Sequence, residues 1–225
     1  MLGNAPTTLV IISWNGQGQP LTHITRDVEP QFDLVVFDYS GQSRQTSELM
    51  SAACLGKGEV IKHIYATVRQ RSLTPDYISI IDHDIELTVS QINDLIRIGQ
   101  QAGLDSFSPA LTLDSYFSFA EFRVREGTAW RPVPFVEIMM PVYRFDLFEY
   151  CARYFSGTIT SYGLDEFAIP VAQQVLALEA TGIIDAVAAR HLNPVESHRR
   201  SYPNGLSAFQ ERALVRNLAM NRLAL

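Results

Sequence analysis

Asp82 and Asp84, one residue apart, close the apolar run Tyr77-Ile78-Ser79-Ile80-Ile81. The run has the length and β-branched richness of a buried parallel strand. Open α/β sheets bind their ligands at the carboxyl ends of such strands. Two hard carboxylates beside a phosphate make a site for Mg²⁺ or Mn²⁺, whereas in a solvated loop they do no chemistry. A second acidic pair, Asp165 and Glu166, follows Gly163. Glycine lets the chain turn sharply there, and Asp165 is a fitting N-cap, stabilised by exposed amides. The same placement suits a general base taking a proton from a hydroxyl, with Glu166 as the substitute if the helix starts one residue later. Glu137 lies in the apolar stretch Phe135–Tyr143. A carboxylate there is costly unless partnered, so it is either hydrogen-bonded structurally or a pocket residue. Lys57, between Gly56 and Gly58, and Lys62 either reach a phosphate or are simply solvated. His191 ends an apolar run, as a ligand or as a satisfied strand-end histidine.

The elements that must position these groups alternate between strand and helix, the pattern of a mostly parallel sheet. Thr7–Ser13 and Phe32–Tyr39 read as buried strands, with Trp14–Gly18 as a turn and a short helix over Pro20–Asp27. Val60, Ile61, Ile64, Tyr65 and Val68 recur at helical spacing after Gly58. Thr88 and Gln91 form a capping box ahead of Ile92, Leu95 and Ile96, in a helix ending near Gly103. Ser106–Leu113 is a strand broken by Pro109, Phe135–Tyr143 a strand, and Phe145–Phe155 a helix. A helix runs from Asp165 through Leu178, and Gly182–His191 is the last strand. Residues 1–205 form one domain, and residues 206–225 a helical tail. Phe209, Leu214, Leu218 and Leu223 stand in it among Arg212, Arg216 and Arg222. The tail either packs on the domain or touches an acidic membrane surface or a partner.

Composition sets the limits. The chain has 225 residues and a formal net charge of −6, which argues against a nucleic-acid binder. The aromatic segment Tyr116–Trp130, interleaved with Arg123, Arg125 and Arg131, therefore reads as core and pocket. Cys54 and Cys151 are too few for a disulfide framework; free thiols and a cytoplasmic location are the expectation. No apolar run reaches the ~20 residues that span a bilayer. Gly16 and Gly18 lack the third glycine of a dinucleotide fingerprint, and Gly56-x-Gly58 lacks the ending of a P-loop.

The order of these features resembles the GT-A fold of nucleotide-sugar glycosyltransferases. Tyr77–Asp84, Val136–Val142, Gly163–Asp165 and Ile184-Asp185 with His191 resemble a family related to those enzymes, over most of Thr7 to His191. The resemblance implies one GT-A-like α/β domain and a donor that is a nucleotide sugar, most simply a UDP-sugar. It implies Mn²⁺ or Mg²⁺ on Asp82, Asp84 and His191. Asp165 would then stand beside the acceptor, a glycan or small molecule, and Glu137 in its pocket. Asn15 and Asp38 would face the nucleotide, with Asp82 sharing in substrate binding. Two other readings stay open. A nucleotidyltransferase or phosphate-ester hydrolase also gathers aspartates at strand ends, although Trp14–Gly18 carries no basic residue. A non-catalytic domain that binds a sugar nucleotide or scaffolds partners would need the pocket and no base.

Overall fold

The computed structural model describes residues 7–194 and 202–223. Four strands, β1 (Thr8–Trp14), β3 (Asp33–Asp38), β4 (Leu49–Ser51) and β5 (Tyr77–Asp82), run parallel on one side of the sheet, in the order β5-β1-β3-β4. On the other side β7 (Ser106–Leu111) and β10 (Thr181–His191) are parallel to each other. The short β9 (Val142–Arg144) joins the halves, antiparallel to both β5 and β7. Beyond β10 come β6 (Ile85–Thr88) and β2 (Ile24–Thr25), while β8 (Arg131–Pro132) pairs with β10 off the main path.

Both faces of the sheet are covered. One core holds Ile11, Phe37 and Ile78 from the strands. It is closed by α1 (Lys57–Gln70), α3 (Phe145–Tyr154), α4 (Ile169–Val175) and α5 (Ala208–Leu223). The opposite core holds Val10, Ile12, Ile81 and Phe107 under α2 (Val89–Gln101). Each such side chain contributes about 1.5–3 kcal/mol on burial. The α1 stripe is Val60, Ile61, Ile64 and Val68. The α2 capping box is present in both directions: Thr88 accepts from the Gln91 amide and Gln91 accepts from the Thr88 amide. Among the described residues no helix is long and apolar enough to cross a membrane. Cys54 and Cys151 are free thiols.

Four elements depart from expectation, each for a local reason. Pro20–Asp27 is turn followed by β2, not helix. The Thr22 hydroxyl donates to the Gln19 carbonyl, and such local bonds compete with helix formation. Phe135–Tyr143 is not one strand; only Val142–Arg144 pairs. Pro134 and Pro141 lack amide donors, and Phe135 turns instead to Phe119 and Phe122, at ring-centroid distances of 5.2 and 5.3 Å. Glu137 thus sits in a loop. The helix expected from Asp165 to Leu178 opens with a π-helical turn, Leu164–Ala168, and continues as α4 only to Val175. Pro109 does not break β7; it pairs with Ile184, and the irregularity moves to β10, whose register shifts between Ile184 and Ala188.

The C-terminal helix packs through Ala208, Glu211, Val215 and Ala219, while Leu214 and Leu218 stay exposed. The side chain of Leu223 and the last two residues of the expected tail lie outside the described residues.

Candidate active site

The carboxyl ends of β1, β3 and β5 lie side by side. Register places Ser13 beside Asp82 and Trp14 beside Asp38. A cavity of about 280 Å³ opens above them, lined among others by Ser13, Tyr39, Lys57, Asp82, Asp84 and His191. Ser13 Oγ donates to Asp82 at 2.8 Å, and Lys57, the first residue of α1, forms an ion pair with the same carboxylate. Glycines flank Lys57 because there is no room for more: a Cβ at Gly56 would stand 2.4 Å from the Ile159 carbonyl, and one at Gly58 2.5 Å from that of Thr158. The start of α1 is therefore pressed onto the loop before Gly163. Lys62 is exposed further along α1 and does not line the cavity.

Asp84, in the turn before β6, and His191, the last residue of β10, converge, with Asp84 Oδ2 3.3 Å from His191 Nε2 and 3.1 Å from Asn193 Nδ2. Burial opposes ionisation of Asp84, but the bond to His191 and its charge outweigh it and bring the carboxyl down to about 2. Burial likewise opposes the imidazolium of His191, and the bond it donates to Asp84, with that carboxylate's charge, outweighs it, so its pKa is raised. His191 Nδ1 is buried without a partner among the described residues. Among those residues no group of three His, Cys, Asp or Glu gathers closely enough to hold a metal ion. Of the three expected ligands, Asp84 and His191 are together and Asp82 is turned to Lys57. A carboxylate with an imidazole fits a divalent cation whose remaining positions come from phosphate and water.

The structure places Asn15 and Asp38 differently from expectation. Asp38 is fully buried. Its carboxylate accepts from the Ser40 and Ser43 amides at 2.8 and 2.9 Å. Burial opposes its ionisation, yet the bonds from Ser40 and Ser43 prevail and hold it at about 2. It locks its own loop and does not face the cavity. Asn15 bonds the Gln17 amide and lies 3.4 Å from His83 Nε2. His83, the residue between the two aspartates, lines the cavity and is held on its other side by Tyr39, 3.4 Å from Nδ1. No local pattern singles out His83 or Tyr39, because the ring contact joins the turns that follow β5 and β3.

A second cavity, also about 280 Å³, lies on the far side of the segment Glu137–Met139. Met139 lines the first cavity and Glu137 and Ile138 the second. Gly163 takes φ +87°, a left-handed turn that favours glycine, and so starts the π-helical turn that carries Asp165 and Glu166. Ser161, in the same wall, is left-handed at φ +72°, a strained state that clusters at functional sites. Asp165 is not an N-cap. Its Oδ1 accepts from the adjacent Glu166 amide at 3.0 Å. Burial, then the charges of Glu137 and Glu166, push its carboxyl up to about 7 against backbone hydrogen bonds from Glu166 and Ile138. Glu137 is raised too, chiefly by burial and against a hydrogen bond from Ser118, and its Oε2 has no partner among the described residues. Glu166 is held by Arg212 of α5 in a two-pronged pair at 2.5 and 2.7 Å. Arg212 and Phe209 complete the wall, and no local pattern joins them to Gly163, from which they are far apart in sequence.

The sequence matches no family model and no curated protein. The fold does have solved counterparts. GalNAc-T7, crystallised with UDP, GalNAc and Mn²⁺, aligns with a TM-score of 0.56 at 11% identity, over 86% of this chain and 45% of that one. Residues 1–349 of S. aureus TarS align at 0.54 and 12%, over 81% of this chain and 59% of that one. A second structure of S. aureus TarS aligns at 0.54 and 11%, over 85% and 37%. The chain spans about half the length of the structures it matches. The likeness shows a GT-A-like glycosyltransferase fold.

Proposed function

We propose that this chain is a glycosyltransferase domain that takes a nucleotide sugar, most simply a UDP-sugar, in the first cavity and a hydroxyl acceptor in the second. The observation that carries this is a pair of cavities on either side of the Glu137–Met139 segment, the first of them at the strand ends. One holds Asp84, His191 and the Lys57–Asp82 pair; the other holds a carboxyl displaced to about 7. GalNAc-T7, of like fold, was crystallised with UDP and Mn²⁺.

In this reading Asp84 and His191 hold Mn²⁺ or Mg²⁺. The cation, when bound, supplies Lewis-acid stabilisation of the departing diphosphate. Lys57 stands at the same wall as a further positive charge, with Ser13 and Asp82 fixing its position. Asp165 removes the proton of the acceptor hydroxyl. The oxygen then bonds to the anomeric carbon, whose bond to the phosphate oxygen breaks with the electron pair leaving on the diphosphate. A base near pH 7 is matched to that task, and attack opposite the leaving group inverts the anomeric centre. Glu166 is the poorer base, since Arg212 occupies both its oxygens.

The test is a thermal-shift and calorimetric titration of UDP and UDP-sugars with and without Mn²⁺. Ligand at 100 times its Kd stabilises by about 2.7 kcal/mol, on the order of 5–10 °C for a chain of this size. Mn²⁺-dependent binding is the expected result, and no binding of any nucleotide under either condition overturns the reading. The engagement of Asp82 by Lys57 favours one rival, a domain that binds a sugar nucleotide without turnover; binding without transfer to any acceptor is its signature.

A further inference from the structure

The second cavity is more specific than a generic hydroxyl site. It joins two kinds of wall. Phe119, Tyr162 and Phe209 contribute aromatic surface, and Phe209, 61% exposed, stands nearly perpendicular to Tyr162 at 6.2 Å between ring centroids. Glu137, Asp165 and Ser118 contribute hydrogen-bonding groups. Glu137 is nine-tenths buried, and its Oε2 lacks a partner among the described residues. A buried carboxyl oxygen left unpaired is costly, which a ligand hydroxyl would relieve.

We infer that this cavity is a subsite for a single neutral sugar ring, with Glu137 and Asp165 receiving adjacent hydroxyls and Phe209 and Tyr162 covering a C–H face. The identification of Asp165's partner as the reacting hydroxyl rests on the glycosyl-transfer reading above; the shape and chemistry of the subsite do not.

Other ligand classes fit less well. At about 280 Å³ the cavity lies just below the ~300–1,000 Å³ that buries a drug-sized molecule, enough for one ring and not for a folded peptide segment. An acyl chain would leave Glu137 and Asp165 without partners. A phosphate or carboxylate would need a cation to pair with, and Arg212, the cation of this wall, is already engaged by Glu166. A cation would find Glu166 neutralised by Arg212, and Glu137 and Asp165 biased toward their uncharged forms. A serine or threonine hydroxyl would engage one carboxyl and leave most of the space empty.

The helix α5 is then part of the recognition site. Glu211 is buried and accepts from the Ile159 and Thr160 amides, the Thr160 hydroxyl and Asn204 Nδ2. It fixes α5 to the loop that leads into Ser161 and Tyr162. The next residue, Arg212, reaches Glu166, and Phe209 lies near the start of the same helix.

The experiment is ligand-observed saturation-transfer NMR with methyl β-glucoside, methyl β-galactoside and N-acetylglucosamine, each with and without UDP and Mn²⁺. The samples are the wild type, Phe209→Ala and Glu137→Gln. Phe209 is exposed enough that truncation leaves the core intact, and a thermal melt checks that both variants fold. Expected is millimolar binding of at least one of these sugars in the wild type, weakened roughly tenfold or more by each variant, with UDP binding unchanged. No sugar binding, or binding that neither variant alters, overturns the subsite while UDP binding keeps the donor reading. Sugar binding lost in both variants, with no nucleotide binding at all, keeps the subsite and removes the donor reading.

Discussion

Replacing Asp165 with asparagine separates a buried base from an ordinary polar residue without any knowledge of the substrate. The carboxyl is raised from its ordinary 3.8 to about 7, first by burial and then by the charges of Glu137 and Glu166. A raised folded-state value means that the folded protein keeps a proton the unfolded chain has released. Stability from this group is therefore complete below pH ~4 and is lost as pH rises to about 7, where it levels off. At about 1.4 kcal/mol per pH unit, the loss reaches about 4 kcal/mol. Asparagine keeps the shape and an oxygen for the Glu166 amide but carries no charge. Asp165→Asn is thus expected to match the wild type near pH 4 and to exceed it progressively, by about 4 kcal/mol at pH 7.5, or on the order of 10 °C in Tm. Urea unfolding of both proteins from pH 4 to 8 measures the difference curve directly. Transfer, once an acceptor is in hand, is expected to fall ~10²–10⁴-fold with donor affinity kept. A difference curve that is flat across this range refutes the buried-acid argument. In the double variant with Glu137→Gln the slope ends at lower pH, because part of the rise in Asp165 comes from Glu137.

Four further outcomes are expected. Asp84→Ala and His191→Ala each abolish the Mn²⁺ dependence of UDP binding in calorimetry while the fold stays intact. In the wild type, metal affinity falls as the histidine protonates, beginning above ~6.5 because Asp84 raises its pKa; a flat pH profile would return His191 to a structural role. Glu211→Ala strands the Ile159 and Thr160 amides and costs about 2–4 kcal/mol in urea unfolding; a loss under 0.5 kcal/mol, the size of an ordinary surface change, would show that α5 does not secure the loop. Gly58→Ala drives a Cβ to 2.5 Å from the Thr158 carbonyl. It is expected to destabilise by about 1–3 kcal/mol and to weaken nucleotide binding by displacing Lys57, and wild-type behaviour in both assays would contradict the close approach.

What could be read from the chain was what neighbours in sequence determine. The buried run into Asp82, the Thr88–Gln91 box and the α1 stripe are local patterns, and each stands where expected. The failures come from contacts that residue type alone does not show, near in the chain for Asp38 and distant for the others. Asp38 at the end of β3 looks ligand-facing from its position alone, yet the Ser40 and Ser43 amides, brought round by the turn, consume it. Asp82 looks like a free ligand until Lys57 is folded onto it. The apolar run Phe135–Tyr143 suggests a strand, but proline and the aromatic cluster of Phe119 and Phe122 claim most of it. Gly163 marks positions 165 and 166, while Glu137, beside Asp165, and Arg212, the partner of Glu166, come from a loop and a helix that only the fold brings near.

The three residues of β9 carry a consequence for how the chain emerges during synthesis. β5 and β7 are both made before Val142, and each waits for β9 to cover one of its edges. β7 waits longer still for β10 on its other side. Until then the nascent chain offers unpaired, apolar strand edges, the kind that recruit other chains. A ribosome paused before residue 142 would hold a half-sheet of β5, β1, β3 and β4 whose β5 edge is open. Proteolysis or aggregation of stalled intermediates should therefore peak in that interval and drop once Val142–Arg144 has cleared the exit tunnel.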